Sequence, residues 1–162
     1  MDRILVDGLI FSLVSSVLLI VSLRVNPRMW LHDYPQEIQD MVPPKSDREK
    51  RQSLVWGIPF LILVFLGPFV STLFLEAQAE EGATFLALFA NAFGVGLMFN
   101  LVDWLLLDWL MFCAITPRFL VIPGTEGAQG YKNYAYHFRG FLIGTVITAV
   151  GALIVAGLVW ML

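Results

Sequence analysis

The chain has 162 residues, of which 58% are hydrophobic and 14% are charged, and its formal net charge is −3. A soluble domain holds about 45–50% apolar and about 25% charged residues, so this chain lacks the polar residues needed to cover a soluble globule. The composition predicts a membrane protein, and it excludes a disordered chain and a basic nucleic-acid-binding protein. The single cysteine, Cys113, excludes an intramolecular disulfide and a paired-cysteine metal or redox motif.

Four apolar stretches predict an all-α integral membrane protein, in which a four-helix transmembrane bundle forms one domain over residues 1–162. A transmembrane helix needs about 20 mainly apolar residues. The spans are predicted at about 4–24, 54–75, 84–112 and 141–162, with loops at 25–53, 76–83 and 117–139. The first stretch is interpreted as a span and not as a cleaved signal peptide, because Arg24 and Arg28 follow it and no Ala-x-Ala cleavage site does.

The basic residues predict the orientation of this bundle. Nine of the ten lysines and arginines lie in or beside the two longer loops, whereas the 76–83 loop has three acids and no base. The positive-inside rule makes the basic side cytoplasmic. Both termini are therefore expected outside, and the membrane is expected to be the cell (inner) membrane.

Both cytoplasmic loops are expected to contain short interfacial helices. In the first loop, Pro35 is expected at the first helical position, Pro43 and Pro44 end the segment, and Trp30 and Tyr34 are expected at the level of the lipid headgroups. In the second loop, aromatic residues share a helical face that continues into the fourth span.

The sequence from Ser46 to Glu49 fits a capping box, in which Ser46 is the N-cap and Glu49 is the third helical residue. The second long helix is therefore expected to begin about two turns before its apolar stretch.

Small residues predict how the helices pack, because transmembrane helices associate by close backbone approach. The third helix carries small residues on two nearly opposite faces, so it is expected to be central in the bundle. The residues predicted to lie at helix contacts are Gly8, Ser12, Ser15, Gly94, Gly96, Gly140, Gly144 and Gly151.

The third helix also carries the residues that favour a binding site. Asp103 follows Asn100 by one helical turn, and an acid within a span usually faces the bundle interior, a partner or a water path. Asp103 could carry a proton, or coordinate a cation beside the Asn100 carbonyl; a purely structural polar contact between helices is the alternative. Asp108 is expected well around the helix from Asp103, paired with a loop base.

These acids and the polar residues of both loops are expected to converge at the cytoplasmic side. The predicted ligand or proton site consists of Asn100, Asp103, Asp108, His137 and Arg139, and the possible contributors are His32, Asp33, Tyr34, Trp104, Tyr131 and Tyr134. The histidines and acids lack the spacing of a metal-binding motif, so neither a metal nor another cofactor is predicted.

Three functions remain open from the sequence. The favoured hypothesis is a membrane-embedded binding or transport module for a proton, cation or small polar solute. The first alternative is an accessory or assembly subunit of a larger membrane complex. The second is a small membrane enzyme that acts on lipid headgroups, with Asp108 or His137 as acid or base and Arg139 or Lys132 holding a phosphate. The expected partners are the lipid bilayer and either further copies of the chain or other membrane subunits, and a non-enzymatic role is favoured.

Overall fold

The computed structural model describes residues 2–162, and helices are the regular secondary structure in that range, with no strand. Four of its helices are long and apolar enough to cross a membrane. The α-helices are α1 (Asp2–Val25), α2 (Gln36–Gln39), α3 (Asp47–Ala77), α4 (Phe85–Val102) and α5 (Tyr134–Trp160). Two 3₁₀ segments lie at Pro27–Asp33 and Gln129–Lys132, and α4 continues directly into a π-helical segment at Asp103–Ile115.

Polar caps set the starts of two long helices outside their apolar stretches. Ser46 accepts a hydrogen bond from the backbone N–H of Glu49, and the Glu49 side chain accepts one from the backbone N–H of Ser46, which confirms the predicted capping box. The Asn133 side chain caps α5 by accepting a hydrogen bond from the Tyr136 N–H at 3.0 Å. Both helices therefore begin seven residues before the stretches predicted from hydropathy, at 47 and 134 instead of 54 and 141.

The helix α4 is the centre of the bundle, as its two small-residue faces predict. It packs against α1, α3 and α5, whereas α1 and α5 have no extensive contact with each other. A Cβ added at Gly94 would lie 2.7 Å from an Ile4 methyl group of α1, and one at Gly96 would lie 2.7 Å from a Thr148 methyl group of α5. Glycine at these two positions is what lets the helices approach closely.

The other predicted packing residues fall into two groups. Added Cβ atoms at Gly8 and Gly144 would lie 2.9 Å from Met98 and 2.7 Å from Asn100, whereas nothing lies within 4 Å at Gly140 and Gly151. The serines at 12 and 15 are both buried, and the Ser12 hydroxyl donates to the Gly8 carbonyl at 2.6 Å. Gly140 and Gly151 therefore have open space where the sequence predicts helix contacts.

A polar network joins α1, α3 and α4 at the end of the bundle that carries the 78–84 connection. The Ser71 hydroxyl donates to the Asp7 carboxylate at 2.6 Å. The Asn91 amide donates to the hydroxyls of Ser71 and Thr72 at 3.0 and 3.2 Å. Asn91 is 2% exposed, so these bonds satisfy a polar group that would be costly to bury alone.

The two longer loops fold against each other at the opposite end of the bundle, and we call residues 26–46 and 116–133 the loop cap. The core of the cap holds Ile38 from the first loop and Leu120 and Tyr131 from the second, all at most 3% exposed. Tyr34 is 2% exposed and donates a hydrogen bond to the Leu120 carbonyl at 2.9 Å.

The cap corrects two details of the first loop. Tyr34 was expected among lipid headgroups, but the second loop covers it because that loop supplies both an apolar surface and an acceptor for its hydroxyl. Pro35 is the N-cap of α2 and not its first helical residue, since its extended ψ of 145° precedes the helix.

Candidate functional site

A cavity of about 650 Å³ lies beneath the loop cap. Its walls come from all four long helices, from the π-helical segment and from both loops of the cap. The polar and charged side chains that line it include Asp33, Asn100, Asp103, Asp108, His137 and Arg139. The structure thus brings the five predicted site residues to one cavity, together with three of the possible contributors, Asp33, Tyr34 and Trp104.

The π-helical segment explains why Asp103 and Asp108 reach the same cavity. In an α-helix, residues five apart are separated by about 140° around the axis, which is why the sequence placed Asp108 well around the helix from Asp103. A π-helix instead bonds each residue to the one five positions away, which brings such pairs nearly into line. The segment ends with a bond of this kind, from the Thr116 N–H to the Met111 carbonyl at 2.9 Å.

Contacts at the end of the π-helical segment hold its unusual geometry. Thr116 adopts a left-handed conformation with φ of 48°, which is uncommon for a residue other than glycine. The ammonium of Lys132 donates to the Cys113 carbonyl and to the Thr116 hydroxyl, the latter at 2.9 Å. Lys132 therefore ties the second loop to the end of the segment, and it does not line the cavity.

Asp108 of the π-helical segment and His137 of α5 form a close pair in the wall of the cavity. The Nδ1 atom of His137 lies 2.9 Å from the Asp108 carboxylate. His137 is 5% exposed, and among residues 2–162 its Nε2 atom has no hydrogen-bond partner. The ring of Phe112 lies 4.7 Å from the imidazole and fixes its position from one side. Asp108 was expected to pair with a loop base, and the structure pairs it with a histidine of α5.

Asp103 differs from Asp108 because it has no ion pair or hydrogen-bond donor within the described chain. It is half-buried, and it lines the cavity. The neighbouring Trp104 ring stacks on Phe141 at 4.4 Å, and its indole N–H is likewise unsatisfied by residues 2–162. A half-buried carboxylate in a cavity with aromatic walls can attract a proton or a cation.

Asn100 has a structural role in addition to lining the cavity. Its amide nitrogen donates to the Phe141 carbonyl at 3.1 Å and to the Thr145 hydroxyl at 2.9 Å. Gly144 leaves room for the Asn100 carbonyl oxygen on the facing helix. The amide nitrogen is therefore committed to holding α4 against α5.

Two further charged residues lie at the edge of the cavity. Burial raises the pKa of Asp33 above its ordinary value; Lys45 and His32 oppose this increase, and the Asp108 carboxylate adds to it. Arg139 is exposed, and within residues 2–162 it forms no ion pair. The three carboxylates thus outnumber the single guanidinium among the lining residues.

The remaining predicted contributors lie elsewhere. His32 borders a separate groove formed by the first loop and the start of α3. Tyr131 is in the core of the loop cap, where its hydroxyl accepts from the Ile122 N–H at 2.9 Å, and the Tyr134 carbonyl accepts from the Trp109 indole at 3.3 Å.

Sequence reasoning missed several aromatic lining residues. Phe60, Phe99 and Tyr136 line the cavity, and Trp30 lines it from the first 3₁₀ segment. Phe99 lies four residues before Asp103, so helical spacing could have found it. Tyr136 and Trp30 likewise lie three residues before Arg139 and Asp33, whereas Phe60 comes from a distant part of the chain, and local spacing carries no signal for it.

Within residues 2–162, no group of three or more His, Cys, Asp or Glu side chains is arranged to hold a metal ion. The chain matches no protein-family model, no curated protein and no solved structure.

Proposed function

We propose that the protein is an integral membrane protein in which the four long helices cross the bilayer. Their outward faces expose large apolar side chains, such as Leu13 and Leu61 at 67% and Ile147 at 65%. Such a continuous apolar surface is disfavoured in water and suits a lipid surrounding. The bases of the two longer loops lie at the loop-cap end, so the positive-inside rule makes that end cytoplasmic.

Within the membrane, we propose that the protein binds or transports a proton, a cation or a small polar solute at Asp103. The observation that carries this proposal is a carboxylate that lines a cavity without any ion pair from residues 2–162. A structural acid would be expected to contact a neighbouring helix, as Asp7 does through Ser71. The cavity of about 650 Å³ is also within the range of about 300–1,000 Å³ that ligand sites occupy.

The size and walls of the cavity favour an organic cation or a proton over a bound metal ion. A metal ion takes several oxygen or nitrogen ligands at about 2.0–2.6 Å, and the described acids and histidines are not arranged in that way. An ammonium group instead needs nearby negative charge and aromatic faces, and the lining supplies both.

The test is proton displacement, because a proton and a cation compete for one carboxylate. Purified protein in a nonionic detergent and a weak buffer receives Na⁺, K⁺ or tetramethylammonium, one at a time. We expect at least one cation to release protons from the protein in a saturable manner. Asp103→Asn should abolish the release, and Asp47→Asn, which changes a carboxylate that is 97% exposed, should keep it. Equal proton release from Asp103→Asn and the unchanged protein would contradict the proposal.

The Asp108–His137 pair favours a second candidate, an enzyme that acts on phospholipid headgroups. An imidazole oriented by a carboxylate can serve as acid or base, and Arg139 borders the same cavity and can hold a phosphate. Incubation with mixed phospholipids and mass spectrometry of the products tests this candidate. A product that disappears with His137→Ala supports it, and absence of any product contradicts it.

A further inference from the structure

The cavity reaches the outer surface of the bundle beside α5. On α5, Ile143 and Ile147 line the cavity and are also 51% and 65% exposed on the outer surface. On α1, Leu19 and Leu23 line it from the opposite side. Since Ile143 and Ile147 both line the cavity and are exposed, an apolar chain that lies beside them can extend from the cavity into the hydrocarbon of a bilayer.

The charged side chains of the cavity lie towards the loop cap, whereas the lining from α1 and from the middle of α5 is apolar. Asp33 and Asp108 come from the side of the loop cap, and Asp103 lies deeper, one helical turn from Asn100. Of these apolar residues, Ile143 and Ile147 on α5 reach the outer surface. A ligand that matches this lining has a charged head and an apolar chain.

The sign of the head follows from the lining groups. Asp103 is not neutralised by any described residue, whereas Asp108 is paired with His137. Arg139, the one guanidinium in the lining, is exposed at the edge. Aromatic rings also border the site, and their faces attract cations within about 6 Å. The head is therefore positive, and an ammonium group has the required charge and size.

We propose that the cavity binds an amphiphilic ammonium compound that enters from the membrane beside Ile143 and Ile147 of α5. Its head lies against Asp103, and its chain lies along Ile143 and Ile147. The proposal rests on the proposed function, since it specifies the class of cation that the Asp103 site takes. The compound is either a free alkyl ammonium or an aminophospholipid of the bilayer, and the two share the same head chemistry.

The experiment measures binding of radiolabelled dodecyltrimethylammonium to the full chain in dodecyl maltoside micelles, by scintillation proximity. We expect saturable binding that falls at least tenfold with Asp103→Asn and stays unchanged with Asp47→Asn. Dodecyl sulfate at the same micellar content should not compete, because its head is negative. Competition by phosphatidylethanolamine identifies the lipid as the source of the ligand, and lack of competition identifies a free amphiphile.

The entry route is tested by Ile147→Trp, which adds bulk where the cavity reaches the outer surface. This change should weaken dodecyltrimethylammonium binding several-fold and leave tetramethylammonium binding intact. Gly157→Trp, also on α5 but away from the lining residues, is the control for a bulky substitution at the membrane surface.

Two results separate failure of this proposal from failure of the proposed function. If tetramethylammonium binds in an Asp103-dependent manner but the dodecyl compound does not bind, or binds equally well to Ile147→Trp, the amphiphile proposal is overturned and the cation site stands. If no cation binds in an Asp103-dependent manner, both are overturned.

Discussion

The polar side chains of this protein fall into two groups. Some have hydrogen-bond partners within the protein, and we call them satisfied; others are available to a ligand. Asn91 and Asn100 donate hydrogen bonds to neighbouring helices, and Asp7 accepts one from Ser71. Asp103 has no such partner within the described chain, and Asp33 lies at the edge of the cavity with part of its surface in solvent. Satisfied groups hold the bundle together, whereas available groups can act on a ligand.

Asp33 gives a prediction of how stability depends on pH. Its folded pKa is raised by burial and by Asp108, so between its unfolded and folded pKa the folded state holds more protons than the unfolded state. Stability contributed by this proton is present below the unfolded pKa of about 3.9 and is lost as pH rises through the folded pKa. We expect the Tm of the unchanged protein, relative to Asp33→Asn, to fall as pH rises through this range.

The measurement is thermal unfolding in detergent across that pH range, followed by circular dichroism. Asp40→Asn, at an exposed acid of the same loop outside the cavity, is the matched control. A Tm difference between the protein and Asp33→Asn that stays constant, or that increases with pH, would refute the prediction.

At the scale of elements, the contact between α4 and α5 depends on one of the two glycines in the GxxxG motif that runs from Gly140 to Gly144. Gly144 faces Asn100, whose amide nitrogen is held by two hydrogen bonds, so Asn100 has little freedom to move away. Gly140 has open space instead. The same motif therefore contains one residue that requires the absence of a side chain and one that does not.

Gly144→Ala is expected to destabilise the protein, and Gly140→Ala is not. A Cβ at Gly144 would lie 2.7 Å from the Asn100 carbonyl oxygen, so we expect a loss of about 1–3 kcal/mol in unfolding free energy. Gly140→Ala and Gly151→Ala should be neutral or stabilising by up to about 1 kcal/mol, since alanine favours the helix. Denaturant unfolding of the three variants in one detergent measures this difference. Equal destabilisation of all three would contradict the packing of Gly144 against Asn100.

At the scale of the whole molecule, the loop cap joins both longer loops at one end of the bundle. Tyr34 of the first loop bonds to the Leu120 carbonyl of the second, and Ile38 packs beside Gly130. The short 78–84 connection lies at the other end, where Arg3 donates to the Gln78 side chain. The two longer loops must therefore face the same side of any membrane that the bundle crosses.

Cysteine labelling in intact cells tests the proposed orientation. In a Cys113→Ala background, we expect a membrane-impermeant maleimide to label Glu81→Cys from outside. It should label Gln36→Cys and Glu126→Cys only after the cells are permeabilised, because both lie on the side with the basic loops. Labelling of Gln36→Cys and Glu126→Cys from opposite sides would contradict the fold. Labelling of both from outside would show that the orientation is the opposite of the proposed one.

The sequence was sufficient to predict the long helices and to predict which of them is central in the bundle. Length and hydropathy of each apolar stretch decide whether a helix can cross a bilayer, and these are local properties. The capping box at Ser46 is also local, because its hydrogen bonds join residues three apart. Small residues on two faces of α4 predicted its central place, since the absence of side chains permits close approach.

The tertiary structure decided the make-up of the site. The five predicted site residues share one cavity, but the pairing of Asp108 with His137 depends on the π-helical segment and on the register between that segment and α5. Neither is a property of local spacing. The burial of Tyr34 and Tyr131 depends in the same way on how two loops that are distant in the sequence pack.

The low content of charged residues, at 14%, determined by itself that this chain suits a membrane, because so few charges cannot cover a soluble surface. Only the tertiary structure decided which of those charges are satisfied and which line a cavity. That difference depends on contacts between residues far apart in the chain, such as Asp7 with Ser71 and Asp108 with His137. This division places Asp103 among the groups that are available to a ligand.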